Sequence, residues 1–370
     1  MASASIRAEG LVCMSTGNLP LVTLIVPARN EAEHLPALLD SIAAVDYPLD
    51  RLEVLVVDGA STDRTAAIAL SYQARIPGLR VVPNPRMVTP CAFNAGVRES
   101  HGELIGMLSG HCVINREYVR ETVRAFMRLN ADCVGGTNEN VGAGFWGATI
   151  AQLVSSSSAG NAKFRHSNVE QRVDTVTGTY HRAVFRRIGL YDERLQRNQD
   201  NEFNARLRRV GGTIYLVPTI HLRYKVRNTV RQTLRQFFAN GKWTVYAQLL
   251  HPYAMSARHF APLVLLLGAA VLGGLSILLG QPLIMIIPAI SYALLLVRVV
   301  AGARLTLAQR CAAMCALPLI HLSYGAGSLL GLVTAVPFLW RSRAMVGIPR
   351  LDSQPVSGRA SSPLLPPAHT

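Results

Sequence analysis

Two long stretches without a formal charge place the strongest constraint on this chain. Residues 260–297 and 311–340 contain 38 and 30 residues, and neither range holds an Asp, Glu, Lys or Arg. About 20 apolar residues are enough for a helix to cross a bilayer. The first stretch, broken at Gly280-Gln281-Pro282, therefore predicts two membrane helices joined by a tight turn. The second predicts one long tilted helix or a span with a re-entrant part. Buried helices of a soluble protein are the disfavoured alternative.

The net charge of +15 is unevenly distributed along the 370 residues. Residues 1–202 hold 21 acidic and 20 basic side chains, a net of −1, whereas residues 203–370 hold one acid and 17 basic side chains, a net of +16. The basic half also contains the apolar stretches. This coincidence favours a membrane surface over nucleic acid as the partner of the positive charge.

The arginines near the apolar stretches predict a topology that conflicts with itself. Positive residues between the second and third spans place that loop in the cytoplasm, in agreement with an N-terminal half that lacks a signal peptide. Three spans would then leave the arginines at 341, 343 and 350 on the outer side, against the same rule. A hairpin within 311–340 would remove the conflict.

The six cysteines show no zinc-binding spacing. Cys311 and Cys315 lie one helical turn apart inside the second apolar stretch, so we expect both to pack in a core.

The N-terminal half alternates between strand and helix patterns. Apolar strands are predicted at residues 22–26 and 52–57, and helices at residues 33–44 and from residue 65. This alternation indicates βαβ units and an α/β fold with a mostly parallel sheet. Ligands of such sheets bind at the carboxyl ends of the strands, so the segments that follow the strands are expected to carry the chemistry.

A carboxylate follows each of the first two predicted strands. Glu31 ends the segment that begins at Pro27, and Asp58 begins a segment that ends at Asp63. Carboxylates at strand ends can accept hydrogen bonds from a ribose or a base. For Asp63, capping of the following helix is an equally good explanation. Neither a P-loop nor a dinucleotide-binding glycine motif is present, which excludes the corresponding enzyme classes.

Further segments share residue types, order and spacing with a known family. In chain order they are Pro27-Ala28-Arg29-Asn30-Glu31, Asp58-Gly59-Ala60-Ser61-Thr62-Asp63, Asn84-Pro85, Asn94-Ala95-Gly96, Thr177-Gly178-Thr179-Tyr180, Tyr191-Asp192-Glu193, Arg197-Asn198-Gln199-Asp200-Asn201-Glu202, Gln236-Phe237-Phe238-Ala239-Asn240-Gly241-Lys242-Trp243 and His321-Leu322-Ser323-Tyr324-Gly325. Together they resemble the inverting family 2 glycosyltransferases, most of all the succinoglycan-biosynthesis (ExoA-like) branch. The resemblance covers about residues 20–340 and implies a GT-A (Rossmann-like) domain followed by transmembrane helices.

The resemblance also implies roles for individual residues. Pro27, Glu31 and Asp58 are expected to bind the uridine portion of a UDP-sugar. Asp200 is expected to be the catalytic base, with Glu202 as the neighbouring alternative and helix capping as another role for Asp200.

A basic and an aromatic residue, Lys242 and Trp243, match the motif that lies near the diphosphate and the acceptor. Anchoring of a surface helix at a membrane interface is the alternative explanation for this pair.

One segment departs from the family pattern. Members usually carry an Asp-x-Asp or Asp-x-His element after the strand predicted at residues 104–108, where this chain has Ser109-Gly110-His111. His111 remains as a ligand for a divalent cation, manganese or magnesium, and Ser109 can hydrogen-bond to the ribose. A weaker metal site, a metal-independent enzyme that uses Arg and Lys, and reduced activity stay open. We favour the weaker metal site.

Six basic residues and no acid lie between residues 223 and 243, with aromatic residues interleaved. This pattern favours an amphipathic helix on the inner leaflet. The predicted organisation is an N-terminal extension (1–19), a GT-A domain (20–222), basic interface helices (223–258), a transmembrane region of about three helices (259–340) and a disordered tail (341–370).

The predicted function is that of a membrane-anchored inverting glycosyltransferase. It moves a sugar from a UDP-sugar to a polyprenyl-diphosphate-linked saccharide in exopolysaccharide or envelope glycan synthesis. The expected location is the inner membrane, with several spans, a cytoplasmic catalytic domain and glycan-assembly proteins as possible partners. A processive polysaccharide synthase and a catalytically silent scaffold of a glycan-assembly complex are the alternatives.

Overall fold

A mixed sheet of nine strands organises the N-terminal part of the chain in the computed structural model, which describes residues 19–155, 168–345 and 347–352. The strands are β1 (Val22–Ala28), β2 (Leu52–Asp58), β3 (Leu79–Pro83), β4 (Leu104–Met107), β5 (Cys112–Ile114), β6 (Cys133–Val141), β7 (Gln171–Arg172), β8 (Gly178–His181) and β9 (Ile214–Lys225). Their order is β3-β2-β1-β4-β8-β6-β9-β5, and β7 pairs with β9.

The parallel part of the sheet is the part that the sequence pattern predicted. Strands β3, β2, β1 and β4 run parallel, whereas β8 is antiparallel to both β4 and β6. Strand β9 is parallel to β6 and antiparallel to β5. The predicted strands 22–26 and 52–57 are confirmed as β1 and β2. The sheet as a whole is mixed rather than mostly parallel.

Seven α-helices of the described residues belong to this sheet domain. They are α1 (Leu35–Ala43), α2 (Thr65–Ser71), α3 (Thr89–Glu99), α4 (Tyr118–Leu129), α5 (Gly144–Ser155), α6 (Arg182–Ile188) and α7 (Gln199–Arg209). Alternate residues of β1 face two different apolar clusters: Leu24 and Val26 pack on one side and Ile25 on the other. The central strands are apolar throughout because helices cover both of their faces.

The remaining helices follow the sheet domain. They are α8 (Val230–Leu250), α9 (Ala261–Leu279), α10 (Leu283–Ala301), α11 (Leu307–Val333) and α12 (Ala335–Ser342). Among the described residues, three helices are long and apolar enough to cross a membrane, at Ala257–Leu279, Leu283–Ala301 and Leu307–Val333. Gly280, with a φ of +61°, ends α9 at the predicted turn.

The second apolar stretch forms the single helix α11, which is followed at Thr334 by the short helix α12. A hairpin within 311–340, one remedy for the topological conflict, is therefore not formed. The prediction that Cys311 and Cys315 pack in a core is wrong, because both side chains are exposed on α11.

Two boundaries also need correction. Arg223 and Lys225, predicted in a membrane-surface helix, lie in β9, and Arg223 Nε donates to Glu139 Oε2 at 2.8 Å. The predicted disordered tail begins too early, because residues 341–342 end α12 and residues 347–351 pack against the sheet domain. Leu190 N, for example, donates to the carbonyl oxygen of Pro349 at 2.8 Å. The N-terminal extension to residue 18 and the tail beyond residue 352 lie outside the described residues.

Candidate active site

The loops that follow β1 and β2 are hydrogen-bonded to each other. Asn30 Oδ1 accepts from Thr62 N at 2.9 Å, and Asn30 N donates to Ser61 Oγ at 3.0 Å. Glu31 N donates to Thr65 Oγ1 at 2.8 Å. Both loops stand at the carboxyl ends of parallel strands, where ligands of such sheets bind. The cross-links hold the two predicted nucleotide-binding segments in one fixed arrangement.

Asp58 is the last residue of β2 and lies directly beside Ala28 of β1. Ala28 follows Pro27 in the chain. The Asp58 carboxylate accepts hydrogen bonds from both the backbone N–H (3.2 Å) and the hydroxyl of Ser61. The carboxylate therefore shapes its own loop, and a carboxylate can accept further hydrogen bonds from a ligand.

Asp63 lies one residue before Arg64, the N-cap of α2, so it is not the N-cap itself, although it bonds to the first turn of that helix. Its Oδ1 accepts from Thr65 N at 2.9 Å in the first turn of α2, and its Oδ2 accepts from Ala32 N at 3.1 Å. Burial would raise the pKa of Asp63, but these hydrogen bonds outweigh it and hold the pKa below its usual value. The residue is thus fully engaged in joining the two loops.

Ser109, His111 and Glu31 form a small polar cluster after β4. His111 Nδ1 lies 3.2 Å from Glu31 Oε1, and Ser109 Oγ lies 3.1 Å from the same imidazole. The side chains of His111 and Glu31 are 21% and 20% exposed, so both are accessible to a ligand. Gly110 allows this close approach, because a Cβ at that position would lie 3.2 Å from Glu31 Cγ.

This cluster fits a divalent cation only if a substrate supplies further ligands. No group of three or more His, Cys, Asp or Glu side chains that could hold a metal ion occurs within the described ranges. One imidazole and one carboxylate are available at this position. Magnesium is often held by one or two protein groups together with the phosphates of a substrate. The donor set is therefore compatible with a cation bound jointly by His111, Glu31 and a diphosphate.

Asp200 lies in the first turn of α7 with its carboxylate unengaged. The preceding Asn198 adopts a left-handed conformation (φ +60°) that turns the chain into the helix. Asp200 is partly exposed, and none of the described residues donates a hydrogen bond to its carboxylate or forms an ion pair with it. An unpaired, accessible carboxylate can accept a proton from a substrate.

Glu202, two residues further on, is in the opposite situation. It is 0% exposed, and Arg206 Nε and Nη2 donate to its two oxygens at 2.9 and 2.8 Å. Tyr253 adds a hydroxyl at 3.4 Å. Glu202 therefore belongs to a buried ion pair, and the geometry favours Asp200 over Glu202 as the base.

Arg197 is a site residue to which the sequence reasoning gave no role. Its Nη1 donates to Asn240 Oδ1 of α8 at 3.0 Å, and no carboxylate of the described residues is paired with it. Burial lowers the pKa of Arg197, and nearby Arg227 lowers it further, whereas Tyr224 raises it. A largely buried cation without a counter-ion is costly and suits an anionic ligand. The only sequence signal was its place in the segment 197–202.

Tyr224 connects Arg197 to the cluster after β4. The rings of Tyr224 and His111 meet edge to face with centroids 4.8 Å apart, and Tyr224 pairs with Cys112 across strands β9 and β5. His111, Tyr224 and Arg197 therefore form a row of neighbouring side chains, and Asp200 follows Arg197 by three residues in the chain. Arg227, which is exposed, adds a second cation beside this row.

Lys242 and Trp243 do not join this row. Asn240 and Thr244 form the face of α8 that contacts residues 197 and 198. At 100° per residue, Lys242 lies about 200° around the helix from Asn240. Its ammonium group lies 5.5 Å from the ring centroid of Tyr246, and Trp243 is 7% exposed in an apolar cluster. A direct role of either residue at the diphosphate stays a prediction.

Comparison with known proteins identifies a domain and a fold. Residues 23–192 match the family model described as Glycosyl transferase family 2.

Two curated relatives match over more than half of the chain. The dolichyl N-acetyl-alpha-D-glucosaminyl phosphate 3-beta-D-2,3-diacetamido-2,3-dideoxy-beta-D-glucuronosyltransferase of Methanococcus voltae is 24% identical, over 60% of this chain and 71% of its own length. The succinoglycan biosynthesis protein ExoA of Rhizobium meliloti (strain 1021) is 26% identical, over 65% of this chain and 74% of its own length.

A solved structure shares the fold. The mannosyltransferase PcManGT from Pyrobaculum calidifontis, in complex with GDP-Man and Mn2+, superposes with a TM-score of 0.58 at 19% identity, covering 85% of this chain and 88% of that one. The mixed sheet and its helices therefore have the GT-A architecture.

Proposed function

We propose that the chain, whose residues 23–192 match the family 2 glycosyltransferases, transfers a sugar from a UDP-sugar to a polyprenyl-diphosphate-linked saccharide at the cytoplasmic face of a membrane. Asp200 carries the proposal. Its carboxylate has no partner among the described residues, and the residue follows Arg197, a member of the row with His111 and Tyr224, by three positions in the chain.

The proposed donor site lies at the cross-linked loops after β1 and β2. Pro27, Asp58 and Glu31 occupy the carboxyl ends of these strands, and Ser109 lies beside Glu31 after β4. In this arrangement the Asp58 carboxylate accepts hydrogen bonds from the nucleoside and the Ser109 hydroxyl donates or accepts them. Pro27 lines the site beside these two residues.

His111 and Glu31 would hold a divalent cation together with the donor diphosphate. When bound, the cation supplies positive charge that stabilises the leaving diphosphate. The mannosyltransferase with the same fold is described in complex with Mn2+, which supports a cation without identifying it here. Arg197 faces the same diphosphate as a fixed counter-charge on the side nearer to Asp200.

The proposed chemistry is a single displacement with inversion. Asp200 accepts the proton of an acceptor hydroxyl while that oxygen bonds to the anomeric carbon of the donor sugar. The bond between the anomeric carbon and the diphosphate oxygen breaks on the opposite face. The negative charge that leaves with the nucleoside diphosphate is stabilised by Arg197.

The proposed acceptor is a lipid-linked saccharide. The Methanococcus voltae relative is named for a dolichyl N-acetylglucosaminyl phosphate, and the Rhizobium relative for succinoglycan biosynthesis. Asp200 lies close to α8, which packs along the apolar helix α11. A sugar on a membrane lipid can therefore reach the base without leaving the bilayer surface.

The test is incorporation of labelled sugar into lipid. Membranes that contain the full chain are incubated with single UDP-sugars and extracted polyprenyl-diphosphate saccharides, with and without manganese. We expect one UDP-sugar to label the organic phase, and membranes with Asp200→Asn to lose that labelling. Equal labelling by wild type and Asp200→Asn would overturn the proposal. A ladder of long products would favour a processive synthase over transfer of single sugars.

A further inference from the structure

Helices α9 and α10 form a hairpin with the dimensions of a membrane anchor. Each contains 19 residues, which corresponds to about 28 Å of helix and matches the hydrocarbon thickness of a bilayer. The buried residues of the pair are Leu263, Leu296 and Val300, all close to the ends where the hairpin joins the rest of the chain. The remainder of the hairpin projects with its apolar side chains exposed.

Helix α11 contacts this hairpin only in the half that adjoins the rest of the chain. In α10 these contacts reach up to Tyr292, whose hydroxyl lies 2.9 Å from His321 Nδ1. A Cβ at Gly325 would lie 2.5 Å from the carbonyl oxygen of Pro262, in the first turn of α9. Gly325 is separated from the start of α11 by 18 residues, or about 27 Å of helix. A third span that starts on the inner side would be near the outer surface at this point. Instead, Gly325 is level with the inner end of α9.

The second half of α11 also stays beside the catalytic domain. Ser323 Oγ donates to the carbonyl oxygen of Leu234 at 2.7 Å, and the hydroxyls of Tyr246 and Thr334 lie 2.7 Å apart. These contacts place α11 parallel to α8 over much of the length of α8. Helix α8 is itself hydrogen-bonded to residues 197 and 198, which lead into α7. The second half of α11 therefore lies next to the sheet domain.

The chain beyond α11 returns to the same domain. The carbonyl oxygens of Gly347 and Pro349 accept hydrogen bonds from the backbone N–H groups of Glu193 (3.2 Å) and Leu190 (2.8 Å). Leu351 packs against the apolar cluster on one side of the sheet. Residues on both sides of α11 are therefore on the side of the membrane that holds the catalytic domain.

One face of α11 is apolar and uncovered. Its members all lie within about 40° of arc at 100° per residue. They are Cys311, Cys315, Leu322, Leu329 and Val333, and each is exposed. Gly327 and Gly331, which contact α8, lie on the opposite face. A continuous apolar stripe of this length is unfavourable in water and suits the acyl chains of a lipid.

We propose that the chain crosses the membrane twice, through α9 and α10, and that α11 lies in the plane of the membrane at the foot of this hairpin. The stripe from Cys311 to Val333 then faces the acyl chains just below the headgroups. This topology keeps the arginines at 298, 304, 310, 341, 343 and 350 on one side, in agreement with the positive-inside rule. It does not depend on which sugar is transferred.

The number of crossings is tested by cysteine labelling in the full chain. Cys13, Cys311 and Cys315 are replaced by Ser, and the buried cysteines are kept. Single substitutions Glu33→Cys, Gln281→Cys and Asp352→Cys then report on the catalytic domain, the hairpin turn and the returning segment. We expect an impermeant maleimide to reach positions 33 and 352 from one side and position 281 from the other. Labelling of 352 together with 281, or of all three from one side, would overturn the proposal.

The orientation of α11 is tested by depth measurement in the same background. A fluorophore on Leu322→Cys or Val333→Cys is quenched by lipids brominated at shallow or deep acyl positions. An in-plane helix places both positions at the same shallow depth, whereas a span separates them by about 16 Å. Leu267→Cys and Leu278→Cys, with the same spacing in α9 and both exposed, form the matched control and are expected at different depths. Different depths for 322 and 333 would contradict the in-plane orientation.

Discussion

Two carboxylates in the first turn of α7 lie two residues apart in opposite environments. Asp200 is accessible and unpaired among the described residues, whereas Glu202 is buried and bound by Arg206 at both oxygens. Because a helix turns 100° per residue, the two side chains point about 200° apart. Asp200 stays accessible, whereas Glu202 points to Arg206 and to Tyr253, which lies just beyond α8. The partners of a carboxylate, rather than its place in a motif, therefore indicate whether it is suited to catalysis or stabilises the fold.

The largest effect is expected for Asp200→Asn. Removal of a general base lowers turnover by about 10²- to 10⁴-fold, and the unpaired side chain makes no contact whose loss would lower the melting temperature. Sugar transfer and thermal denaturation are measured on the same solubilised preparation. A large loss of thermal stability, or a rate of sugar transfer close to that of wild type, would contradict the assignment of Asp200 as a catalytic rather than a structural carboxylate.

Glu202→Gln is expected to show the reverse behaviour. Breaking a buried ion pair while one charge remains costs about 3–5 kcal/mol, so the melting temperature falls sharply. The double variant with Arg206→Met removes both charges and is expected to recover much of the loss. Protein that remains folded should keep turnover within a few-fold of wild type. Full stability combined with lost turnover would make Glu202 the better candidate for the base.

Arg197→Ala tests the second member of the site. A charged hydrogen bond contributes about 1.5–3 kcal/mol, so we expect kcat/KM for the nucleotide sugar to fall about 10- to 100-fold. Arg231→Ala is the matched control, because it removes an exposed cation from α8, the helix that Arg197 contacts, at a position away from Asn240. An equal loss in both variants would indicate a general effect of positive charge.

Asp192 bonds to His251 at the end of α8 and to Arg194, and these contacts make the stability of the folded protein depend on pH. Burial alone would raise the pKa of Asp192, but the hydrogen bonds with His251 and Arg194 outweigh it and lower the pKa to about 2. A lowered carboxyl pKa contributes stability above the unfolded pKa near 4 and loses it as pH falls towards 2, here about 2 kcal/mol. The difference in melting temperature between wild type and Asp192→Asn should therefore narrow from pH 5 to pH 3. A constant difference would indicate that lost packing, and not charge, destabilises the variant.

The sequence predicted the parallel strands and the loops after them because apolar runs and turn residues are local signals. It also predicted the two apolar hairpin helices and the segment that contains Asp200. The family resemblance favoured Asp200 but kept Glu202 as the alternative, because the environments that distinguish the two carboxylates depend on Arg206 and on the packing of α8. The course of α11 was also undetermined. A largely apolar helix of 27 residues has the same composition whether it crosses a bilayer or lies along it, and only contacts such as that of Gly325 with Pro262 distinguish the two.

The smallest effect is expected for Lys242→Ala, although the family resemblance placed this residue at the diphosphate. Lys242 lies on α8 away from the face formed by Asn240 and Thr244, and its ammonium group contacts the ring of Tyr246 at 5.5 Å. A cation–π contact at a partly exposed site contributes about 0.5–1 kcal/mol, so a small decrease in melting temperature and less than a two-fold change in KM follow. The nucleotide-sugar KM of Lys242→Ala is compared with that of Arg197→Ala. A larger increase in the Lys242 variant would show that α8 turns when substrate binds and brings Lys242, not Arg197, to the diphosphate.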